Sequence, residues 1–260
     1  MLISLDTLPM GPHRHHTLHI LAVEDHPIQA QMLHIQLYEL GYAMLPVARD
    51  ADEAERLFRS GDPDVLLLDI QLPGPVDGIE LAHRLTAIRP VPIVFLTSMD
   101  DPETFARARL TQPCAYLTKP HNGEALARAL ELAVQQFAQR RGITATPDTG
   151  LVITDSLFVR VGTRLERLRL ADIAWVEADG NHVHFVLLDG YKSTVRLGMS
   201  AVEAVLPLGV FMRIHRSFLV AVSAITGLDT THGYVLVGHQ QLPLGRTYRE
   251  ELLARFRQVG

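Results

Sequence analysis

Val65-Leu66-Leu67-Leu68-Asp69 is an apolar run closed by a carboxylate, and the same construction recurs along the first half of the chain. Glu24 and Asp25 follow His19-Ile20-Leu21-Ala22-Val23. Thr97 follows Val91-Pro92-Ile93-Val94-Phe95-Leu96, and Lys119 follows Cys114-Ala115-Tyr116-Leu117-Thr118. Short apolar runs separated by amphipathic stretches predict parallel strands joined by helices. The spacing places strands at 18–23, 43–47, 64–69, 92–96 and 114–117, and helices at 27–40, 50–60, 78–89, 101–109 and 121–140. That order is the signature of an α/β, flavodoxin-like doubly wound parallel sheet of five strands. In an open sheet of this kind the functional crevice lies at the carboxyl ends of the strands. Glu24, Asp25, Asp69, Thr97 and Lys119 should therefore share one crevice.

Such a site has a definite chemistry. An incoming phosphoryl group and the Asp69 carboxylate repel each other, and a hard divalent cation on Glu24, Asp25 and Asp69 would neutralise them. Magnesium takes few carboxylates and completes its shell with waters and phosphate oxygens. The Thr97 hydroxyl can donate to one phosphoryl oxygen and the Lys119 ammonium can pair with another. Any one acidic residue at a strand end can be an ordinary helix cap; five residues of suitable type at successive strand ends are not explained that way. The chain has 24 basic residues and only Lys119 and Lys192 are lysine. A compact ammonium at the crevice position of an arginine-rich chain suggests a requirement for it.

At 260 residues the length suits two domains. Residues 1–150 hold 12 Lys and Arg against 19 Asp and Glu, and residues 151–260 hold 12 against 10, so an acidic half (−7) precedes a mildly basic one (+2). No apolar run is long enough to span a bilayer, and Met1–Pro12 lacks the pattern of a signal peptide, so the cytoplasm is the expected location and no membrane partner is expected. Cys114 alone can form no internal disulfide. Residues 1–16, with His13-Arg14-His15-His16, read as a disordered lead, 17–140 as the first domain, 141–150 as a linker and 151–260 as the second domain.

The second domain changes period. In Leu165-Glu166-Arg167-Leu168-Arg169-Leu170 the leucines Leu168 and Leu170 alternate with Arg167 and Arg169. His182–Leu187 and Tyr191–Leu197 alternate similarly, punctuated by Gly180, Gly190 and Gly233. Period two with glycine breaks predicts short antiparallel strands and tight turns, with helices at 199–206 and 247–257. Arg169, Lys192 and Arg196 lie on polar strand faces, either as solvated side chains or as phosphate contacts. Trp175, Phe211 and Phe218 read as core, and His215 as a residue that satisfies backbone groups.

Residues 18–140 closely resemble the receiver domain of two-component response regulators. The strings that carry the resemblance are Val23-Glu24-Asp25-His26, Leu67–Gly74, Leu96-Thr97-Ser98 and Tyr116-Leu117-Thr118-Lys119-Pro120. The resemblance makes Asp69 the phosphoacceptor, Asp25 a direct magnesium ligand assisted by Glu24, and the Gln71 backbone carbonyl a further ligand. It makes Thr97 and Tyr116 a switch pair that reshapes the face formed by the last two helices and the strand between them, and it implies a cis bond before Pro120. Gly74–Gly78 places the Asp-Gly pair one residue further from Asp69 than in many receivers, and His121 stands where an aromatic is frequent. Haloacid-dehalogenase-type phosphatases also phosphorylate an aspartate, but they need an acid two residues on, where this chain has Gln71. Enzymatic turnover beyond self-phosphorylation from small phosphodonors and autodephosphorylation is not expected.

Residues 151–258 resemble the mostly-β LytTR DNA-binding domain. The resemblance rests on Ala171–Val183, Phe211-Met212-Arg213-Ile214-His215-Arg216-Ser217-Phe218-Leu219-Val220, and Leu242-Pro243-Leu244-Gly245-Arg246. It implies that three loops on one edge enter successive major grooves of double-stranded DNA, with Asn181 or His182, Arg216 and Arg246 at the bases. Arginine can read guanine bidentately, and Asp179-Gly180 is a turn expected to project Asn181 and His182 from the sheet. Together the two resemblances imply a transcriptional response regulator, phosphorylated by a sensor histidine kinase with Mg2+ and binding repeated DNA sites as a homodimer. The alternative is a phosphorylation-gated protein-interaction module or phosphate sink.

Overall fold

The computed structural model describes residues 16–98, 102–140, 151–153, 155–162 and 164–257; the rest of the expected lead (1–15) and the expected linker (141–150) lie outside them. His16, counted above with the lead, is buried. The chain divides into two compact units, one comprising residues up to Arg140 with the short segment Thr163–Glu166, the other comprising the remainder.

The first unit runs β1 (His19–Val23), α1 (Pro27–Glu39), β2 (Ala43–Met44), α2 (Ala51–Gly61), β3 (Val65–Asp69), α3 (Gly78–Ile88), β4 (Ile93–Thr97), α4 (Pro102–Leu110), β5 (Ala115–Thr118) and α5 (Gly123–Arg140). Its strands form one parallel sheet in the order β2-β1-β3-β4-β5. Every residue of β3 and β4 is buried, as expected of strands covered on both faces by helices. One cluster joins Leu21, Leu66, Leu68 and Phe95 of the sheet to Phe58, Leu81 and Leu85 of α2 and α3. The second strand is shorter than the expected 43–47. Leu45 N–H still reaches Ile20 O (2.9 Å), but Pro46 has no N–H to offer, and pairing resumes only where Ala48 N–H meets Ala22 O (3.0 Å). Helix starts follow local chemistry: Pro27 begins α1, Asp50 accepts from Glu53 N–H at α2, and Asp77 accepts from Ile79 and Glu80 N–H at α3.

The chain after α5 contains β6 (Leu151–Ile153), β7 (Ser156–Val161), β8 (Arg164–Arg169), β9 (Ile173–Asp179), β10 (His182–Leu187), β11 (Lys192–Val195), α6 (Met199–Val205), β12 (Phe211–His215), β13 (Phe218–Ala221), β14 (Ile225–Asp229), β15 (Tyr234–Val237), β16 (Gln240–Pro243) and α7 (Arg249–Arg257), all of them in the second unit except the first three residues of β8. A five-stranded sheet in the order β11-β10-β9-β13-β12 is accompanied by the three-stranded sheets β6-β7-β8 and β14-β15-β16. The pairings recorded between β9 and β16 are all antiparallel. One core joins Val176, Val183, Phe185 and Leu219 to Met199 and Val202 of α6, and a second joins Met212, Ile214 and Val220 to Val235, Leu242 and Leu252 of α7. Phe211 is buried, while Trp175 and Phe218 are partly buried against the second core. The expected helix at 247–257 begins as a 3-10 turn over Arg246–Tyr248 before α7.

Candidate functional site

Parallel pairing aligns the carboxyl ends of β1, β3, β4 and β5, and so gathers the residues that close those runs. Lys119 Nζ lies 2.6 Å from Asp69 Oδ2 and 2.7 Å from Glu24 Oε2. Gln71 N–H donates to Asp69 Oδ1 (3.0 Å), and His26 N–H to Glu24 Oε1 (3.2 Å). Glu24 and Asp69 are buried and Asp25 is exposed; one oxygen from each of the three lies within 4.8 Å of the others. Burial pushes the Glu24 carboxyl above its ordinary value, against the opposing effect of Lys119. With one ammonium among three carboxylates, the ionised cluster carries two net negative charges, and hard oxygen donors of that charge suit a divalent cation.

Thr97 is buried at the end of β4, and its carbonyl accepts from Lys119 N–H (2.8 Å). Tyr116 packs against the core with its hydroxyl oxygen buried and its ring 6.1 Å from that of Phe95. Burial raises its pKa, opposed by Arg109. The Lys119-Pro120 bond is cis. His121 lines a cavity of 290 Å³ with Glu24, Gln29, Met32, Leu33, Lys119 and Pro120, and burial followed by Lys119 lowers its pKa.

Two features beside this cluster escaped the sequence reading. Gly78 N–H donates to Ile70 O (3.0 Å), and this brings Gly78 so close to β3 that a Cβ there would lie 1.9 Å from the Asp69 carbonyl oxygen. The loop therefore closes on the strand despite its extra residue, and glycine alone fits the closure. Asp77, besides capping α3, accepts from Arg107 Nη2 of α4 at 2.6 Å. Burial acts to raise the Asp77 carboxyl, but the Glu80 N–H and Arg107 outweigh it and hold the pKa low. An Asp-Gly pair before a helix was the available signal for the first feature; nothing in the sequence links residues 77 and 107.

In the second unit, three turns meet along one edge. Gly180-Asn181 joins β9 to β10, with Gly180 at φ +57° in the first turn position, where a type II′ hairpin turn carries glycine. Ala178 N–H donates to Ser217 O (2.9 Å), placing this turn beside Arg216-Ser217, the turn between β12 and β13. Gly245 N–H donates to Ile214 O (2.8 Å), which brings in Leu244-Gly245-Arg246. Asn181, Arg216 and Arg246 are all exposed there. His182 is not projected by the turn as expected: it is the first residue of β10, exposed and paired with Asp179.

The expected phosphate contacts separate. Arg196 follows Val195, the partner of Val183, and so lies at the same edge. Lys192 pairs with Val186 further along β10 and sits 4.0 Å from Glu177. Arg169 precedes the start of β9, about 20 Å along that strand from the turn at its other end. Arg213 was missed because in sequence it is one alternating strand residue among many. Its Nη1 donates to Glu203 Oε2 (2.6 Å), its Nε to His215 O (3.3 Å) and its Nη2 to Arg216 O (2.9 Å), which fixes the Arg216 turn. His215 Nδ1 accepts from Ser217 N–H (3.2 Å), a backbone role as expected.

Comparison with known proteins agrees with both units. Residues 20–131 match the family model of the response regulator receiver domain, and residues 163–257 match that of the LytTr DNA-binding domain. The chain is similar to the positive alginate biosynthesis regulatory protein of Pseudomonas aeruginosa, at 32% identity over 87% of this chain and 90% of the relative. It is similar to the sensory transduction protein LytT of Bacillus subtilis, at 28% identity over 78% and 86% respectively. A signal receiver domain of a modulated diguanylate cyclase from Desulfovibrio desulfuricans aligns at 41% identity and a TM-score of 0.46, covering 48% of this chain and 98% of that one. Among the described residues no helix is long and apolar enough to cross a membrane. The chain belongs to the two-component response regulators that join a receiver domain to a LytTR DNA-binding domain.

Proposed function

We propose that Asp69 accepts a phosphoryl group from a histidine of a sensor kinase and that this modification controls DNA binding by the second unit. The observation that carries the proposal is the Lys119 ammonium held between Glu24 and Asp69, in a carboxylate cluster two positive charges short of neutrality. Asp25, Glu24, Asp69 and the Gln71 carbonyl would hold magnesium, which when bound supplies the positive charge that lets an anionic phosphoryl group approach an anionic carboxylate. An Asp69 oxygen forms the new bond to phosphorus as the bond to the donor nitrogen breaks, and the electron pair leaves with the imidazole. Lys119, already on Asp69, pairs with a phosphoryl oxygen, and the Thr97 hydroxyl donates to another. Movement of Thr97 toward the phosphate opens room for Tyr116 to reorient and changes the α4–β5–α5 surface.

The modified receivers then pair, and two β units bind a repeated DNA site. Arg216 and Arg246 read bases from adjacent turns, with Asn181 or His182 beside them and Arg196 near the backbone; for Lys192 and Arg169 their positions favour solvated roles. The test is DNA retention in magnesium with and without acetyl phosphate. Phosphodonor should tighten binding of the wild-type chain and not of Asp69→Ala. Equal stimulation of both would overturn the coupling, and no sequence-selective retention in either would overturn the DNA role of these residues.

A further inference from the structure

The turn between β14 and β15 comprises Thr230, Thr231, His232 and Gly233, and Asp229 organises it. Asp229 Oδ1 accepts from the N–H groups of Thr231 (2.9 Å) and His232 (2.8 Å), and Oδ2 lies 2.8 Å from His232 Nδ1. The His232 N–H first, and its ring second, lower the Asp229 carboxyl to about 2, so the anion that shapes the turn persists at neutral pH. His232 is 73% exposed in its side chain and stacks on Tyr234, with ring centroids 6.4 Å apart. It is thus an exposed side chain in a defined orientation: Asp229 occupies Nδ1, and Nε2 is left for an outside partner.

The location of the turn gives this a use. Leu244 N–H donates to Gly233 O (2.9 Å), and Tyr234 pairs with Pro243, so the turn lies directly beside Leu244-Gly245-Arg246. That loop is in turn bonded to β12 at the Arg216 end. Four turns therefore follow one another along the edge, those of Asn181, Arg216, Arg246 and His232.

We infer that the Asp229-organised turn is a fourth DNA-contacting turn, in which His232 donates from Nε2 to a backbone phosphate next to the groove entered by Arg246. The inference rests on the DNA reading of this edge. A phosphate fits better than a base, because an imidazole held at Nδ1 offers a single donor and cannot make the paired contacts that distinguish bases. The Asp229 carboxylate behind it also opposes deeper entry into the anionic groove. Holding the ring before binding limits the ordering cost of the contact.

The experiment is a salt series with the full chain at about pH 6, on a selected duplex and on a random-sequence duplex. His232→Ala should weaken binding to both duplexes by a similar factor and make the slope of log K against log salt shallower by about 0.9, the value for one lost phosphate contact. His232→Lys should restore the slope. Arg216→Ala, in contrast, should lose preference for the selected duplex. An unchanged slope in His232→Ala, a loss confined to the selected duplex, or a loss that His232→Lys does not restore would each overturn the phosphate contact. If wild-type chain and Arg216→Ala do not differ between the two duplexes, the DNA reading of the edge itself fails, and this inference fails with it.

Discussion

Replacing Gly78 with alanine tests how the strand that ends in Asp69 is held. The added Cβ would lie 1.9 Å from the Asp69 carbonyl oxygen, 2.9 Å from its carbonyl carbon and 3.1 Å from Ile70 Cα, whereas real Cβ contacts essentially never fall below 3.0 Å. More than 1 Å of separation must come from backbone, with no flexible side chain available to yield. On the strand side Ile70 N–H is bonded to Leu96 O (3.2 Å), and on the helix side Gly78 N–H is bonded to Ile70 O. Overpacking of this kind costs about 1–3 kcal/mol. Alanine's better helix propensity offsets at most about 1 kcal/mol, and less at a first helical residue. The net expectation is a loss of about 1–2 kcal/mol in the first unit, with slower labelling of Asp69 by acetyl phosphate because the strand end shifts. Urea unfolding followed by circular dichroism measures the loss. Fluorescence of Trp175, the only tryptophan and a residue of β9, follows the second unit as an internal reference. A Gly78→Ala chain as stable as wild type and labelled at the same rate would refute the reasoning.

Asp25→Asn should weaken magnesium binding measured by calorimetry about 30-fold. Asp25 is exposed, so a water-like interaction of about 1 kcal/mol per pair of unit charges applies, doubled for a dication; chelating magnesium should stop phosphodonor labelling altogether, and unchanged affinity in the variant would remove Asp25 from the ligand set. Arg213→Ala should release the Arg216 turn and reduce specific DNA affinity roughly 5- to 150-fold, the range for one base contact of about 1–3 kcal/mol, as read by footprinting, while a normal footprint would deny it a positioning role. Asp229 has a folded pKa of about 2 against an ordinary 3.8, so its contribution to stability is complete above 3.8 and is lost as pH falls through about 2. Asp229→Asn should accordingly flatten the acid-unfolding profile in that window, and superimposable profiles for the two chains would contradict the assignment.

The receiver cluster was legible in sequence because parallel strands align their ends. Once Val65–Leu68 and the other apolar runs are recognised as strands, the residues that close them must converge, whatever the details of packing. The arginines of the second unit were legible only through strings shared with a family, since an exposed arginine in a turn leaves no periodic trace. Arg213 was not legible at all: its three acceptors come from residues on α6, on its own strand and in the following turn. Where the sequence reading erred in detail, the causes were local. Pro46 shortened β2, and the two-residue hairpin placed His182 in a strand instead of the turn.

Sequence alone determined the class of both units and the members of the acidic crevice, because hydrophobic period selects strand or helix and the sheet's connectivity orders the strand ends. Tertiary structure decided which charges neutralise which, that Gly78 must lack a side chain, and that Arg196 lies at the edge shared by the Asn181, Arg216 and Arg246 turns while Arg169 and Lys192 do not. Those facts depend on distances between residues far apart in the chain, and the pattern of any one segment does not encode them.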